Sequence, residues 1–270
     1  MLKKTMLFAA VLTLSSLVFA QARTQREAAA APAPGIDASN TCAFAYSSGS
    51  GNTFTQYCLS TNGNIVQFSS PSGYEFIHAG QVGEGYSICD FTPPTPVPYF
   101  DYAYLVSNNW GPTTVTTPSA TAKKFVRATS DGIWQLTQTI TQVKASAKAI
   151  GSAKVVMALK NLTGISRTVY FIRYADIDAN SSGDNNFNWT FNSAFGAAPG
   201  FGYGLGLTNN TFSIAHAGFT LNTFAAPDPC ALGANENNQP FTGDGSIGMS
   251  YAVVIPAGAT KTVTMTYKPM

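Results

Sequence analysis

Charge is scarce in this sequence. Asp, Glu, Lys and Arg make up 10% of its 270 residues, 15 basic against 13 acidic, and Lys3 and Lys4 sit in an N-terminal segment of their own. Without those two lysines the chain is formally neutral, so it lacks the electrostatic footprint of a nucleic-acid or anionic-membrane binder. Long apolar runs are missing as well. After residue 20 no stretch approaches the ~18 unbroken apolar residues that a membrane span needs. No two cysteines form a Cys-x-x-Cys pair, which argues against zinc. There is no Gly-x-Ser-x-Gly elbow, and the two histidines, His78 and His216, have no local partner. Each reads as an ordinary polar strand residue, and no nucleophilic triad is indicated. No internal repeat appears at solenoid or propeller spacing.

What is present begins with an export pattern. Lys3 and Lys4 precede an apolar run from Met6 to Phe19, and small residues mark cleavage near Ala20 or Ala22. Residues 1–20 therefore read as a secretory signal and 21–40, rich in Ala and Pro, as a flexible spacer. The expected location is extracellular. Cys42, Cys58, Cys89 and Cys230 fit disulfides in an exported chain. Four cysteines allow three pairings; Cys42–Cys58 with Cys89–Cys230 is favoured, one closing a hairpin-sized loop and the other tying distant segments.

From residue 41 to 270 the hydrophobic period is two, which predicts a single all-β domain, an antiparallel β-sandwich of about a dozen strands. Thr53–Leu59 and Ile65–Phe68 flank an Asn-Gly turn and predict a hairpin. Gly73–His78 reads as a further strand. Phe91 to Pro98 carries four prolines and reads as a loop or an edge connection. Lys123–Thr129, Gly132–Thr141, Ala153–Asn161 and Arg167–Asp178 read as a meander, with Ala153, Val155, Met157 and Leu159 on one face. Ile247–Ile255 and Thr260–Tyr267 read as a closing hairpin. The alternating glycines of Gly200–Gly206 suggest a strand approached closely by other backbone. Nine basic residues and one acid, Asp131, fall between Lys123 and Arg173; most alternate with apolar neighbours and are expected to face solvent, where they could meet an acidic polysaccharide.

Two segments suggest chemistry. Asp176-Ile177-Asp178-Ala179-Asn180 opens like an oxygen-rich calcium loop, with Asp176, Asp178, Asn180 and Asp184 as the candidate ligands. Ser181 and Phe187 replace the glycine and the bidentate acid of the helix–loop–helix version, so that version is excluded. Asp176 and Asp178, two apart on a strand, also have the spacing of paired carboxylates in glycoside hydrolysis. Aromatic residues supply the second signal. Tyr102, Tyr104 and Trp110 follow the Pro-rich loop and Trp189 follows the acidic one, and such rings beside Asn can stack on sugars.

The motifs Val-x-Met-Ala-Leu-Lys-Asn-Leu-Thr (155–163), Ser166–Asn180 and Asn192-Ser-Ala-Phe-Gly196 resemble a pattern of uncharacterised secreted bacterial β-sandwich proteins. The resemblance implies export and fold, and no activity. The reading that follows is a non-catalytic extracellular binding or surface module, with polysaccharide as partner and calcium as the one candidate cofactor. A carbohydrate-active hydrolase or lyase and a purely structural envelope protein are the alternatives.

Overall fold

A computed structural model describes residues 42–77, 83–104, 107–222, 228–232 and 239–270. The signal, the spacer and His78 lie outside the described residues. Seventeen antiparallel strands are found among them, in three sheets. A small sheet runs β1 (Phe44–Ser48), β2 (Thr55–Leu59), β3 (Ile65–Ser69). A five-stranded sheet is ordered β14 (Ala215–Leu221), β16 (Ser246–Ile255), β10 (Arg167–Asp176), β4 (Glu84–Asp90), β5 (Val97–Tyr102). A nine-stranded sheet begins with β15 (Phe241–Gly243), β11 (Asn185–Thr190), β12 (Ser193–Ala197) and β13 (Gly204–Asn209). It continues through β17 (Thr260–Pro269), β9 (Ser152–Asn161), β8 (Trp134–Val143), β7 (Ala122–Thr129) and β6 (Trp110–Ser119).

Alternation explains most of this. In β9, Ala153, Val155, Met157 and Leu159 are fully buried while Lys154 and Lys160 face out, as a period of two requires of a half-buried strand. They meet Phe171, Met249 and Tyr251 of the five-stranded sheet in one core that also holds Trp134 and Tyr267. The Asn-Gly hairpin forms as β2–β3, and Pro98 sits in β5, an edge strand, where a missing N–H is tolerated. Both expected disulfides form, Cys42–Cys58 and Cys89–Cys230, with Cα separations of 5.5 and 5.0 Å.

Connectivity departs from the expectation at two places. The meander runs β6–β7–β8–β9, but Arg167–Asp176 leaves it to pair with β4 and β16 in the other sheet. The expected closing hairpin is a crossing between layers: β16 lies in the five-stranded sheet and β17 pairs with β9 and β13 in the nine-stranded one. Alternation is identical in both arrangements, so the pattern could not distinguish them. Gly73–His78 contributes one bridge, Ser69 to Glu75, among the described residues. Gly200 and Gly202 form a turn at positive φ, 78° and 67°, before β13 begins at Gly204. A Cβ on Gly204 would lie 2.6 Å from Gly196 O, so the close backbone approach is real at that position.

Most of the basic run is at least partly exposed, and two of its members are buried. Arg127 and Arg173 point inward, each paired with a buried acid: Arg127 with Asp101 and Arg173 with Glu84. Arg173 also donates to Gln138 Oε1 and to Gly63 O, while Tyr267 Oη donates to Glu84 Oε1 at 3.0 Å and Ile65 N–H to Glu84 Oε2 at 2.7 Å. This network joins all three sheets. Buried charges survive only when paired and hydrogen-bonded. Burial pushes the Glu84 carboxyl up to about 7 against the opposing pull of Arg173.

Candidate functional site

The outer face of the five-stranded sheet carries its own apolar layer of Tyr102, Ile172, Tyr174, Phe219, Leu221 and Leu232. Tyr102 is wholly buried there, stacked on Phe100 with ring centroids 5.4 Å apart. It offers no face to a ligand. Tyr104 is half-buried at φ 66° and donates to Val66 O at 3.1 Å. Trp110 is half-buried, edge-on to Tyr86 and beneath the Arg127 guanidinium at 5.5 Å. Trp189 packs half-buried on the main core. The four rings are thus scattered and turned largely inward; core packing absorbs them.

The acidic loop has a more definite shape. β10 ends at Asp176, and the chain then makes a short 3-10 turn, Ala179–Ser181, with Asn180 at φ 59°. Asp178 N–H donates to Phe76 O at 2.9 Å and Asn180 N–H to Glu75 O at 2.7 Å. From the start of β11 the buried Asn185 side chain clamps the turn. Its amide donates to Ile177 O at 2.8 Å and Ser182 O at 2.7 Å and accepts from Ala179 N–H at 3.2 Å. The backbone is therefore held by protein groups.

Asp176 and Asp178 are buried, whereas Asn180 and Asp184 face solvent. The third carboxylate of the cluster is Asp244, from the turn between β15 and β16, which acts electrostatically on both buried acids. Burial first, then Asp244, pushes Asp178 up to about 6; burial first, then Asp178 and Asp244, pushes Asp176 well above the usual carboxylate range. Ser246 Oγ donates to Asp176 Oδ1 at 3.1 Å. Like charges in a dry site cannot all ionise together, so this corner holds protons that exposed carboxylates would have released. Among the described residues, no group of three or more His, Cys, Asp or Glu is arranged to hold a metal ion.

The strands that carry a depression, β11 and β15, connect directly to this acidic corner, although none of its carboxylates lines the depression. Asn185 pairs with Gly243 and Asn186 with Thr242, so the strand leaving the acidic loop and the strand leading to Asp244 lie side by side. The depression, about 330 Å³, is lined by Asn186, Asn188 and Thr242 together with Phe187, Phe195 and Phe241. The Thr242 hydroxyl donates to Asn186 Oδ1 at 2.7 Å, holding that amide across the strand pair. Phe187 and Phe241 stack at 4.8 Å. Rings and amides without charge suit apolar sugar faces and hydroxyls. The sequence pointed to this strand through Trp189; the residues that line the hollow are its neighbours.

His216 has both ring nitrogens occupied. Asn209 Oδ1 accepts from Tyr251 Oη and Thr211 N–H, both at 2.8 Å, which fixes that amide with its NH₂ toward His216 Nε2 at 2.9 Å. His216 Nδ1–H then donates to Ile214 O at 2.7 Å. Nε2 also lies 2.8 Å from Asn192 Oδ1, and the ring sits buried on β14.

No family model matches the chain, and no curated protein sequence does either. Its fold does have counterparts. A bacterial glucoamylase solved with acarbose superposes with a TM-score of 0.53 at 12% identity over 88% of this chain. The match spans 34% of that longer chain, about a third of it. A putative aldose 1-epimerase from Escherichia coli K12 matches at TM-score 0.51 and 11% identity, covering 84% of this chain and 99% of that one. A protein from Synechocystis sp. PCC 6803 matches at 0.50 and 6% identity, over 88% and 99%. At such identities the likeness establishes a shared sandwich architecture.

Proposed function

We propose that this is an exported, carbohydrate-active protein that binds a glycan in the depression between β11, β12 and β15 and acts on it by proton transfer, as a hydrolase or lyase. The observation that carries the reading is the strand pair that connects a ring-and-amide hollow to a corner of three carboxylates, two of them with raised proton affinity. A carboxylic acid that keeps its proton near neutrality is what a general acid requires. Asp178 is the acid in this account, burial and then Asp244 raise its affinity for the proton, and Asn188 and Phe195 position the sugar. Architectural kinship with a glucoamylase and a putative aldose 1-epimerase supports the substrate class. Two disulfides, and the fact that no helix among the described residues is long and apolar enough to cross a membrane, are consistent with work outside the cell. The Lys3–Ala20 signal supports export. Calcium at the acidic loop is a competing role for the same carboxylates.

The test is a panel of polysaccharides incubated with the wild-type protein, with calcium and with chelator, reading both depletion from solution and release of reducing or unsaturated ends. Asp178→Asn is expected to lower turnover about 10²–10⁴-fold with depletion unchanged, and Asn188→Ala with Phe195→Ala to weaken depletion. Depletion without turnover by the wild type would return the protein to a binding module. Loss of both on chelation would make the acids metal ligands.

A further inference from the structure

Beyond the far end of β11 lies a feature the depression does not use. Phe191 and Phe212 are 59% and 72% exposed, the two most exposed phenylalanines among the described residues. Phe191 stands at the tip of the β11–β12 hairpin, opposite Asn192, and Phe212 in the loop between β13 and β14. Such positions favour small polar residues, so neither ring is explained by the turn it occupies.

Both turns are fastened. Phe191 O accepts from Gly218 N–H at 3.1 Å, and Asn192 O accepts from Asn209 N–H at 2.8 Å. A Cβ on Gly218 would lie 2.5 Å from Thr190 O and Ser193 O, so only glycine lets the hairpin tip sit on β14. The Phe212 loop is tied to β17: Asn210 N–H donates to Thr264 O at 2.9 Å, and Thr264 N–H to Thr211 Oγ1 at 2.7 Å. Between the rings stands the buried His216, with centroids 4.6 Å from Phe191 and 6.0 Å from Phe212. Both of its ring nitrogens are hydrogen-bonded within the protein. Two exposed aromatic faces are thereby held in place before anything binds, which removes the ordering cost of association.

The surroundings narrow the ligand. From Asp184 to Asp228 the sequence has no charged residue between those two acids, and the exposed amides Asn192 and Asn210 flank the rings. The turns that carry the rings bring no Lys or Arg of their own; the lysines on this side, Lys154 and Lys268, are exposed beside Thr266, whose hydroxyl donates to Asn210 Oδ1 at 2.7 Å, so an uncharged contact is expected at the rings themselves. Apolar ring faces with uncharged hydroxyls match both the rings and the amides. We propose that Phe191 and Phe212 form a second glycan contact, selective for neutral sugar chains. This rests on the carbohydrate reading above, though not on catalysis.

The experiment measures retention of the full-length protein on insoluble neutral glycans (cellulose, chitin, an insoluble β-glucan), on an acidic glycan and on phosphatidylcholine vesicles. Phe191→Ala with Phe212→Ala is compared with the tyrosine pair at both positions and with Asn188→Ala/Phe195→Ala, near-UV circular dichroism reporting the fold. The alanine pair is expected to lose about tenfold in affinity for a neutral glycan, the tyrosine pair to retain it, and the Asn188/Phe195 variant to keep a component that the alanine pair abolishes. Unchanged retention by the alanine pair would overturn the inference and leave the depression as the site. Retention of the wild type on acidic glycan alone would overturn it while preserving a carbohydrate function. Ring-dependent sedimentation with vesicles alone would make the occupant a lipid surface and overturn it too. Ring-dependent glycan retention without turnover would uphold it and remove the catalytic reading.

Discussion

Two polar regions of this molecule are built on opposite plans. Between the sheets, Glu84, Arg173, Asp101 and Arg127 bury full charges in a hydrogen-bonded net with Gln138 and Tyr267. At the β11–β14 corner, the surface from Asn185 to Asn222 has no charged side chain and works with amides, hydroxyls and rings. Charge here fastens layers, and the exposed corner recognises by shape and neutral hydrogen bonding. In a chain with so few charges, placing these four inside, with Asp90, Asp176 and Asp178 also buried, leaves little for steering. Encounter with a charged ligand would then gain little from electrostatics.

The largest effect should come from breaking the inner plan. Arg173→Ala strands Glu84 in a dry interior and is expected to lower unfolding free energy by about 3–5 kcal/mol, read from urea denaturation. A loss below about 1 kcal/mol would mean the net positions side chains without holding the sheets. Asn185→Ala sharpens the comparison from the other side. It leaves Ile177 O, Ser182 O and Ala179 N–H without their partner and is expected to cost about 1–3 kcal/mol, with hydrogen exchange rising in residues 177–184 while the β7–β9 amides stay protected.

The smallest effect is a slope. Asp178 has its folded proton affinity raised, to about 6, above the unfolded value near 3.9. The folded state therefore binds more protons between those values. Stability from this group is fully present below about pH 4 and is lost as pH rises through about 6. Asp178→Asn should flatten that part of the stability–pH curve, and a slope identical to wild type would show that the cluster does not titrate as a unit.

The fold was largely legible because a half-buried strand writes its own alternation, as β9 does with Ala153, Val155, Met157 and Leu159. The Cys42–Cys58 pair and the edge position of Pro98 were legible for equally local reasons; Cys89–Cys230 followed from it as the remaining pair. Which sheet a strand joins is not local: β10 and β16 alternate as they would in a meander or a hairpin, and only partner choice moved them. Arg127 and Arg173 misled because alternation gives two faces without saying which is wet, and a paired charge can take the dry one. Tyr102 misled because the five-stranded sheet is covered on its outer side, by Leu232 from far along the chain. The acidic loop was visible in Asp176 and Asp178. Its third member, Asp244, waited for a register that sequence does not state.

The hairpin tip seated on Gly218 has a consequence apart from ligands. β14 is the outermost strand of its sheet on that side, with backbone donors that would otherwise invite another chain to add on. The Gly218 N–H is already bonded to Phe191 O, and the turn occupies the space a foreign strand would need. A bulkier residue at position 218 would lift the turn and open that border, so Gly218→Val should show self-association on storage together with a lower melting temperature.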